Sequence, residues 1–421
     1  LKFVDYSFDQ GLLDAIDSMG YESPTPVQEA VLGPILEGRD LIGCAQTGTG
    51  KTAAYLIPML NQIVTNPCNC TSAIIIAPTR ELAMQIDQQI IGLAYFMPVS
   101  SKAVYGGGDA IEYDTHRKAL MTQSDVIVAT PGKLLMHLNM GHLTSEGVRC
   151  LILDEADRML DMGFIEDIMR IISFLPEERQ TLMFSATMPP KIRELAKKIL
   201  KNPVEVNLAV SKPVDSVMQA AYLVHDKSKI NLISHLLEGK DLKSVLVFCS
   251  TKQAVKDVAR NLAKVIDSVE EIHSDLEQQS REAVLLRFRN QQTHVLVATD
   301  VMARGIDIDT IELVINYDVP RDAEDYVHRV GRTARAEREG VAITFINGER
   351  KEQDSFKRIE QMLEMPVYKI KTPIEWGDGP EYNPSVSRGR SGGEYKKRGP
   401  KPGGNYKKKD DGRPRKPRST T

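Results

Sequence analysis

Eight residues, Ala45-Gln46-Thr47-Gly48-Thr49-Gly50-Lys51-Thr52, combine flexible small positions with a lysine and a hydroxyl. Glycines at 48 and 50 let successive backbone N–H groups turn inward around an anion. A helix that starts there adds its unpaired first-turn donors. Lys51 can neutralise terminal phosphates, and Thr52 can place a hydroxyl on Mg2+. The strict pattern wants glycine at the first position, where this chain has Ala45. A second group, Asp154-Glu155-Ala156-Asp157, follows the apolar run Cys150-Leu151-Ile152-Leu153. Carboxylates at the end of an internal strand lie where α/β sheets bind ligands. Asp154 can hold Mg2+ through water, and Glu155 can orient and deprotonate an attacking water. Helix capping would explain Asp157 as easily, but not the pairing with the loop.

Three further clusters carry chemistry. Ser185-Ala186-Thr187 offers two hydroxyls separated by a small residue just after a strand. Gly305 and Asp307 lie beyond the run ending at Thr299. The segment His328 to Arg335 is densely basic, with Arg329, Arg332 and Arg335 three residues apart. A helix would place those arginines on one side. Such a face can close on phosphates from an opposite domain, as arginine fingers do.

Short apolar runs must position these groups. Strands are expected at Leu41 to Cys44, Ala73 to Ala77, Val126 to Ala129, Cys150 to Leu153 and Thr181 to Phe184. Between them, stretches such as Glu81 to Phe96 repeat apolar residues at three and four positions. That alternation predicts a mostly parallel sheet covered on both faces. A polar, proline-containing stretch near 208 to 217 reads as a linker. The rhythm then restarts, with strands at Val245 to Cys249, Val295 to Thr299, Leu313 to Ile315 and Val341 to Phe345. Helices are expected at Thr251 to Val265 and Glu277 to Arg289. The second half has no phosphate loop of its own, so the site is expected to be completed across a cleft.

The formal net charge of −3 hides an asymmetry. Residues 389 to 421 hold 12 Lys and Arg against 3 Asp and Glu, leaving a net of −12 on the remainder. This Gly-, Pro-, Lys- and Arg-rich end has almost no aliphatic residues, so it cannot offset its ordering entropy and is expected to be disordered. A basic tail on an acidic body suits a polyanion partner. Of the five cysteines, Cys44, Cys150 and Cys249 sit in or beside apolar runs and read as buried. Cys68 and Cys70 have no second pair nearby to complete a metal site, and the pattern fits a reducing, cytosolic compartment. No secretory leader or membrane-spanning run stands out.

Taken together and in order, these motifs resemble the DEAD-box ATP-dependent RNA helicases (superfamily 2), particularly bacterial generalist members with a short basic tail. The resemblance runs from Phe3 to about Val367, and the family's letters stand at Asp154-Glu155-Ala156-Asp157. It makes Ala45 a normal feature of the loop. It implies that Phe3 stacks on adenine, with Tyr21 in the adjoining motif, and that Gln28 pairs with the adenine edge. A carboxamide can donate and accept at once. It also implies coupling of the two sites through Ser185 and Thr187, with His328 as the partner of Asp157. Arg329 and Arg332 are implied at the γ-phosphate, with Gly305 and Asp307 near the nucleotide. RNA contacts are implied at Pro78, Thr79, Arg80, Gly106, Gly107, Thr130 and Lys133, then at Ser250 and Thr299. Lys133 stands where the family usually has arginine, keeping the charge but losing the planar fork.

The implied architecture is α/β, with two tandem RecA-like domains. A nucleotide-binding domain spans 1–208, a linker 209–217, a second domain 218–370, and a basic tail 371–421. The implied activity is RNA-dependent ATP hydrolysis coupled to local unwinding of short RNA duplexes or remodelling of RNA–protein complexes. ATP and Mg2+ are required, and the protein is expected to be a cytoplasmic monomer that meets ribosomal or RNA-decay assemblies. The competing readings are an ATP-gated RNA clamp, distinguished by a long-lived RNA complex, and a DNA helicase or translocase, distinguished by unwinding of matched RNA and DNA duplexes.

Overall fold

A computed structural model describes residues 2–45, 49–107, 110–207, 217–240, 242–300, 311–333, 340–373 and 378–385. Seven strands come from the first half: β1 (Leu41–Cys44), β2 (Ala73–Ile76), β3 (Ser101–Val104), β4 (Val126–Ala129), β5 (Cys150–Leu153), β6 (Gln180–Ser185) and β7 (Val204–Asn207). They form one sheet in the order β3-β4-β2-β5-β6-β1-β7. The second half gives β8 (Val217–Leu223), β9 (Val245–Cys249), β10 (Val269–Ile272), β11 (Val295–Thr299), β12 (Leu313–Asn316), β13 (Gly340–Ile346) and β14 (Tyr368–Lys371). Their order is β10-β11-β9-β12-β13-β8-β14. All pairings within both sheets are parallel.

Central strands are buried on both faces because helices cover both sides. Ile75 and Ile152 point into one apolar cluster, whereas Ile74, Ile76, Leu151 and Leu153 point into the other. In the second sheet, Leu246 and Phe248 serve one layer and Val245 and Val247 the other. Alternate side chains of one strand therefore anchor opposite helix layers.

Two features depart from the sequence reading, and a third falls almost wholly outside the described residues. Residues 209–216 of the expected linker lie outside the described residues, and Val217 already opens β8. Folded chain also continues past residue 370. Tyr382 donates its hydroxyl to Glu360 Oε2 at 2.9 Å, and Asn383 N–H donates to Gln353 Oε1 at 2.7 Å. These bonds tie 378–384 back onto the Arg350–Leu363 helix. Finally, Cys68 and Cys70 are joined by a disulfide, whereas the sequence pattern pointed to reduced thiols throughout. A surface turn brings the two sulfurs together, which composition does not reveal. Cys44, Cys150 and Cys249 are buried and free. No helix among the described residues is long and apolar enough to cross a membrane.

Two histidines give the first sheet's flank a pH dependence. His116 and His137 are buried, and His137 Nδ1 lies 2.9 Å from His142 Nδ1. Burial, then the charges of Lys102, Lys133 and Arg80, push His116 down to about 4. Burial, then Lys133 and the two neighbouring histidines, push His137 down to about 4. An unfolded histidine protonates near about 6.5. The unfolded state therefore binds more protons between those values, so stability is complete above the higher one and is lost as pH falls toward the lower. The expected loss at pH 5 is about 1–2 kcal/mol per histidine. Thermal midpoints at pH 7 and pH 5 should differ clearly, and the difference should shrink in the His116→Gln, His137→Gln double variant. An undiminished difference would place the pH dependence elsewhere.

Candidate active site

Most of the candidate residues gather at the carboxyl ends of the parallel strands, the edge where α/β sheets bind ligands. Ala45 follows β1, and its N–H donates to Ser185 O at the end of β6. Gln46, Thr47 and Gly48 lie outside the described residues. Gly50 has φ +86° and begins the Lys51–Thr65 helix. A side chain there would be strained by that φ and would collide with Gln28, whose Nε2 lies 2.7 Å from the missing Cβ. Glycine is therefore required for the helix start to approach Gln28.

Gln28 does two jobs in this contact. Its Oε1 accepts from Thr25 N–H at 2.9 Å, and its Nε2 donates to Gly50 O at 3.2 Å. Thr25 Oγ1 donates to Thr49 O at 3.0 Å. The capping residues of the Pro26–Leu36 helix thus brace the phosphate loop directly. A carboxamide still has a second lone pair and a second N–H with which to meet an adenine edge. Tyr21 is partly buried against the neighbouring apolar cluster, and Phe3 is inside it at 3% exposure. Stacking of Phe3 on a base requires that covering to open.

Lys51 is 6% exposed, and among the described residues its Nζ has no hydrogen-bond partner. A buried, unmatched ammonium is costly unless a negative ligand meets it. This fits a phosphate. One turn on, Tyr55 donates its hydroxyl to Asp154 Oδ2 at 2.8 Å. Burial pushes the Asp154 carboxyl up, with Lys51 opposing. Glu155 adopts φ 50°, its N–H donating to Asp154 Oδ1 at 2.9 Å. Its Oε2 accepts from Arg158 Nη1 at 3.1 Å. Burial is the largest influence on Glu155 and raises its pKa, but Arg158, Lys51 and Arg332 together outweigh it and hold the carboxyl below its ordinary range. Thr52 stands beside Lys51 on the first helical turn. Among the described residues no three His, Cys, Asp or Glu converge as a metal cage. Thr52 with Asp154 matches the sparse protein ligation of Mg2+ where phosphates complete the shell.

Asp157 ties this centre to Ser185-Ala186-Thr187. Its Oδ2 accepts from both Thr187 N–H and Thr187 Oγ1, each at 2.9 Å. Its own N–H donates to Ser185 Oγ at 3.2 Å, and that hydroxyl donates to Thr187 O at 2.7 Å. Three hydrogen bonds thus join the segment after β5 to the Ser-Ala-Thr turn at the end of β6.

The second sheet completes the cavity. Lys51, Glu155, Asp157 and Thr187 share a cavity of about 460 Å³ with Asp322, His328 and Arg332. Arg329 does not join them. It donates from Nε and Nη2 to Asp300 at 2.6 and 2.8 Å, and from Nη1 to Asp318 O at 2.9 Å. The expected common helical face fails because the Ala323–Val330 helix ends between the two arginines, with Gly331 as its cap. Arg329 belongs to the helix, whereas Arg332 lies in the turn beyond it. Gly305, Asp307 and Arg335 lie outside the described residues.

This division makes a stability prediction. Asp300→Ala leaves the buried Arg329 guanidinium without its carboxylate, and a loss of about 3 kcal/mol is expected in urea unfolding. Equal stability of the variant and the parent would mean that the pair does not brace the second sheet.

The expected RNA residues occupy the other end of the first sheet's carboxyl edge. Pro78, Thr79 and Arg80 follow β2, Gly106 and Gly107 follow β3, and Thr130 and Lys133 follow β4. Thr79 Oγ1 caps the Arg80–Leu93 helix by accepting from Leu82 N–H at 3.3 Å. The Arg80 guanidinium lies over the Tyr105 ring at 4.4 Å, and Lys133 Nζ over Tyr113 at 4.8 Å. Arg80 also pairs with Glu282 of the second half at 2.8 Å, and Gln278 Nε2 donates to Glu81 Oε1 at 3.1 Å. Ser250 follows β9, its N–H donating to Asp318 Oδ2 at 2.8 Å, and Thr299 ends β11. Sequence reasoning gave no role to Tyr55 or Arg158, and it placed Asp300 only within a stretch implied near RNA, not as the partner of Arg329. The signals available were spacing alone: Tyr55 four residues after Lys51, and Arg158 three after Glu155.

Two parallel α/β sheets that meet at a cavity lined by Lys51, Glu155 and Arg332 define a class of nucleotide-driven machine with tandem RecA-like domains. The DEAD/DEAH box helicase pattern matches residues 25–195, and the helicase conserved C-terminal domain matches residues 228–337. The chain belongs to the DEAD-box ATP-dependent RNA helicase family. It is 41% identical to the ATP-dependent RNA helicase CshA of Listeria monocytogenes, across 88% of this chain and 71% of that one. It is 40% identical to the DEAD-box ATP-dependent RNA helicase CshA of Geobacillus kaustophilus, across 88% and 78% of the two chains. Its fold is similar to that of S. cerevisiae Dbp5 bound to RNA and ADP BeF3, with a TM-score of 0.79, 30% identity, and coverage of 88% of this chain and 95% of that one.

Proposed function

We propose that the chain is an RNA-stimulated ATPase that locally separates short RNA duplexes or remodels RNA–protein complexes. One observation carries this most directly: Arg332 and His328 from the second half line the same cavity as Lys51 and Glu155 from the first. Neither half holds a complete set. Lys51 meets the terminal phosphates, with Gln28 and Tyr21 toward the base and Phe3 at the ring face. Thr52 and Asp154 hold Mg2+, which neutralises charge building on the phosphates when bound. Glu155, kept ionised by its cationic neighbours, orients the attacking water and receives its proton. Arg332 stabilises the transition-state charge, while Arg329 positions the segment through Asp300.

RNA lies across the β2–β3–β4 edge and the Ser250 and Thr299 turns, held mainly by phosphate and sugar contacts and hence with little sequence preference. Closure of the two domains, 1–208 and 218–370, around both ligands makes each favour the other. The carboxylate–Thr187 bonds link the two sites. The protein works as a cytoplasmic monomer under this reading. ATP hydrolysis measured with and without single-stranded RNA, and unwinding of matched short RNA and DNA duplexes, test it. Hydrolysis indifferent to RNA, or equal unwinding of both duplexes, would refute the RNA assignment.

The basic tail adds sequence-independent RNA affinity. The informative truncation ends at Pro384, because Tyr382 and Asn383 belong to the folded body. The shortened protein should bind RNA more weakly, and its slope of log affinity against log salt should be shallower by about 2 or more, each lost phosphate contact contributing roughly 0.7 on a single strand. Equal slopes would remove the tail from RNA binding.

A further inference from the structure

The Cys68–Cys70 pair takes no part in the ATP or RNA sites. It lies in the turn between the Lys51–Thr65 helix and β2, at the amino end of that strand. The nucleotide residues sit at the opposite edge, roughly 13 Å away along a four-residue strand. Both cysteines are partly exposed. A bridge across a single intervening residue removes little loop-closure entropy, so holding the fold together is a poor explanation for it.

Its surroundings are those of an exchange site. Cys68 Sγ lies 3.6 Å from Arg149 Nη2 and 3.2 Å from Ser72 Oγ. The same guanidinium nitrogen donates to Asn66 O at 2.7 Å and to Ser72 Oγ at 3.0 Å, which fixes the cation beside the sulfur. A fixed guanidinium favours a thiolate over a thiol. Among the described residues, Cys70 Sγ has no such guanidinium contact. It sits 3.7 Å from Gly147 O, in a niche that a Cβ at residue 147 would overlap. The other three cysteines are buried, and burial pushes the Cys150 thiol up to about 12 and raises those of Cys44 and Cys249. Reactivity is thus confined to one pair.

We propose that Cys68 and Cys70 form a reversible thiol–disulfide site whose oxidant is a small-molecule disulfide. In the reduced pair, the Cys68 thiolate attacks one sulfur of the disulfide, forming a mixed disulfide and releasing one thiolate. Cys70, having given its proton to water, attacks the Cys68 sulfur. That closes the internal bond and releases the second thiolate. Two electrons pass from the protein to the small molecule, whose disulfide becomes two thiols. Excess small thiol reverses both steps.

The test equilibrates the full chain in glutathione buffers from fully reduced to fully oxidised, quenches with an alkylating agent and reads intact mass. Oxidising buffers should give a chain with two cysteines protected and no glutathione retained, and reducing buffers should free both. Cys70→Ser should trap glutathione on Cys68, whereas Cys68→Ser should capture it on Cys70 about tenfold more slowly. Arg149→Gln should slow capture by Cys68, and RNA-stimulated ATPase should be unchanged in Cys70→Ser. The proposal is overturned by a bond that survives excess reduced glutathione, by two cysteines that stay reduced in the most oxidising buffer, or by equal capture rates in the two serine variants.

Discussion

Glu155→Gln is expected to leave ATP and RNA binding intact while lowering turnover by about 10²–10⁴-fold, the range for loss of a positioned general base. The amide keeps the shape of the carboxylate and can still accept from Arg158 Nη1, which lies 3.1 Å from Oε2 in the parent. What it loses is the ability to receive a proton. The carboxylate is poised for that role because Arg158, Lys51 and Arg332 hold it ionised against the effect of burial. Single-turnover hydrolysis, together with nucleotide and RNA titrations, separates the outcomes. A variant that binds both ligands and turns over like the parent would remove Glu155 from the chemistry. One that fails to bind ATP would instead make Glu155 a structural member of the loop.

Arg332→Ala should abolish most RNA-stimulated hydrolysis, on the order of a thousandfold or more if it acts as an arginine finger. ATP binding should change little, because Lys51 and the phosphate loop lie on the other sheet. The comparison with Arg329 makes the test specific. Arg329 is committed to Asp300 and Asp318, so Arg329→Ala should lower unfolding stability. Loss of stability without loss of kcat in Arg332→Ala would move the finger role elsewhere in the segment.

The sequence made the interior legible and the margins obscure. The expected central strands match the structure within a residue or two because β1, β2, β4, β5 and β9 are buried on both faces and so read as unbroken apolar runs. The strands it missed include all four sheet edges: β3, β7, β10 and β14. Edge strands face water, so Val204-Glu205-Val206-Asn207 and Tyr368-Lys369-Ile370-Lys371 carry charges where a core strand carries isoleucine. The arginine pair shows another limit. Three-residue spacing predicted one helical face, but a glycine cap placed the two guanidinium groups in different environments.

Local sequence alone determined the phosphate loop, the carboxylate tetrad and the Ser-Ala-Thr turn, because each is a short stretch whose chemistry depends on neighbours in the chain. Tertiary structure decided how they are sorted. Strands β5, β6 and β1 are adjacent and bring Asp154, Ser185 and Ala45 to one end of the edge, whereas β3, β4 and β2 carry the proposed RNA residues at the other. That order comes from parallel crossovers, which join strands distant in sequence. The meeting of Lys51 and Arg332 at one cavity likewise depends on two separately built sheets coming together, and no local pattern specifies that.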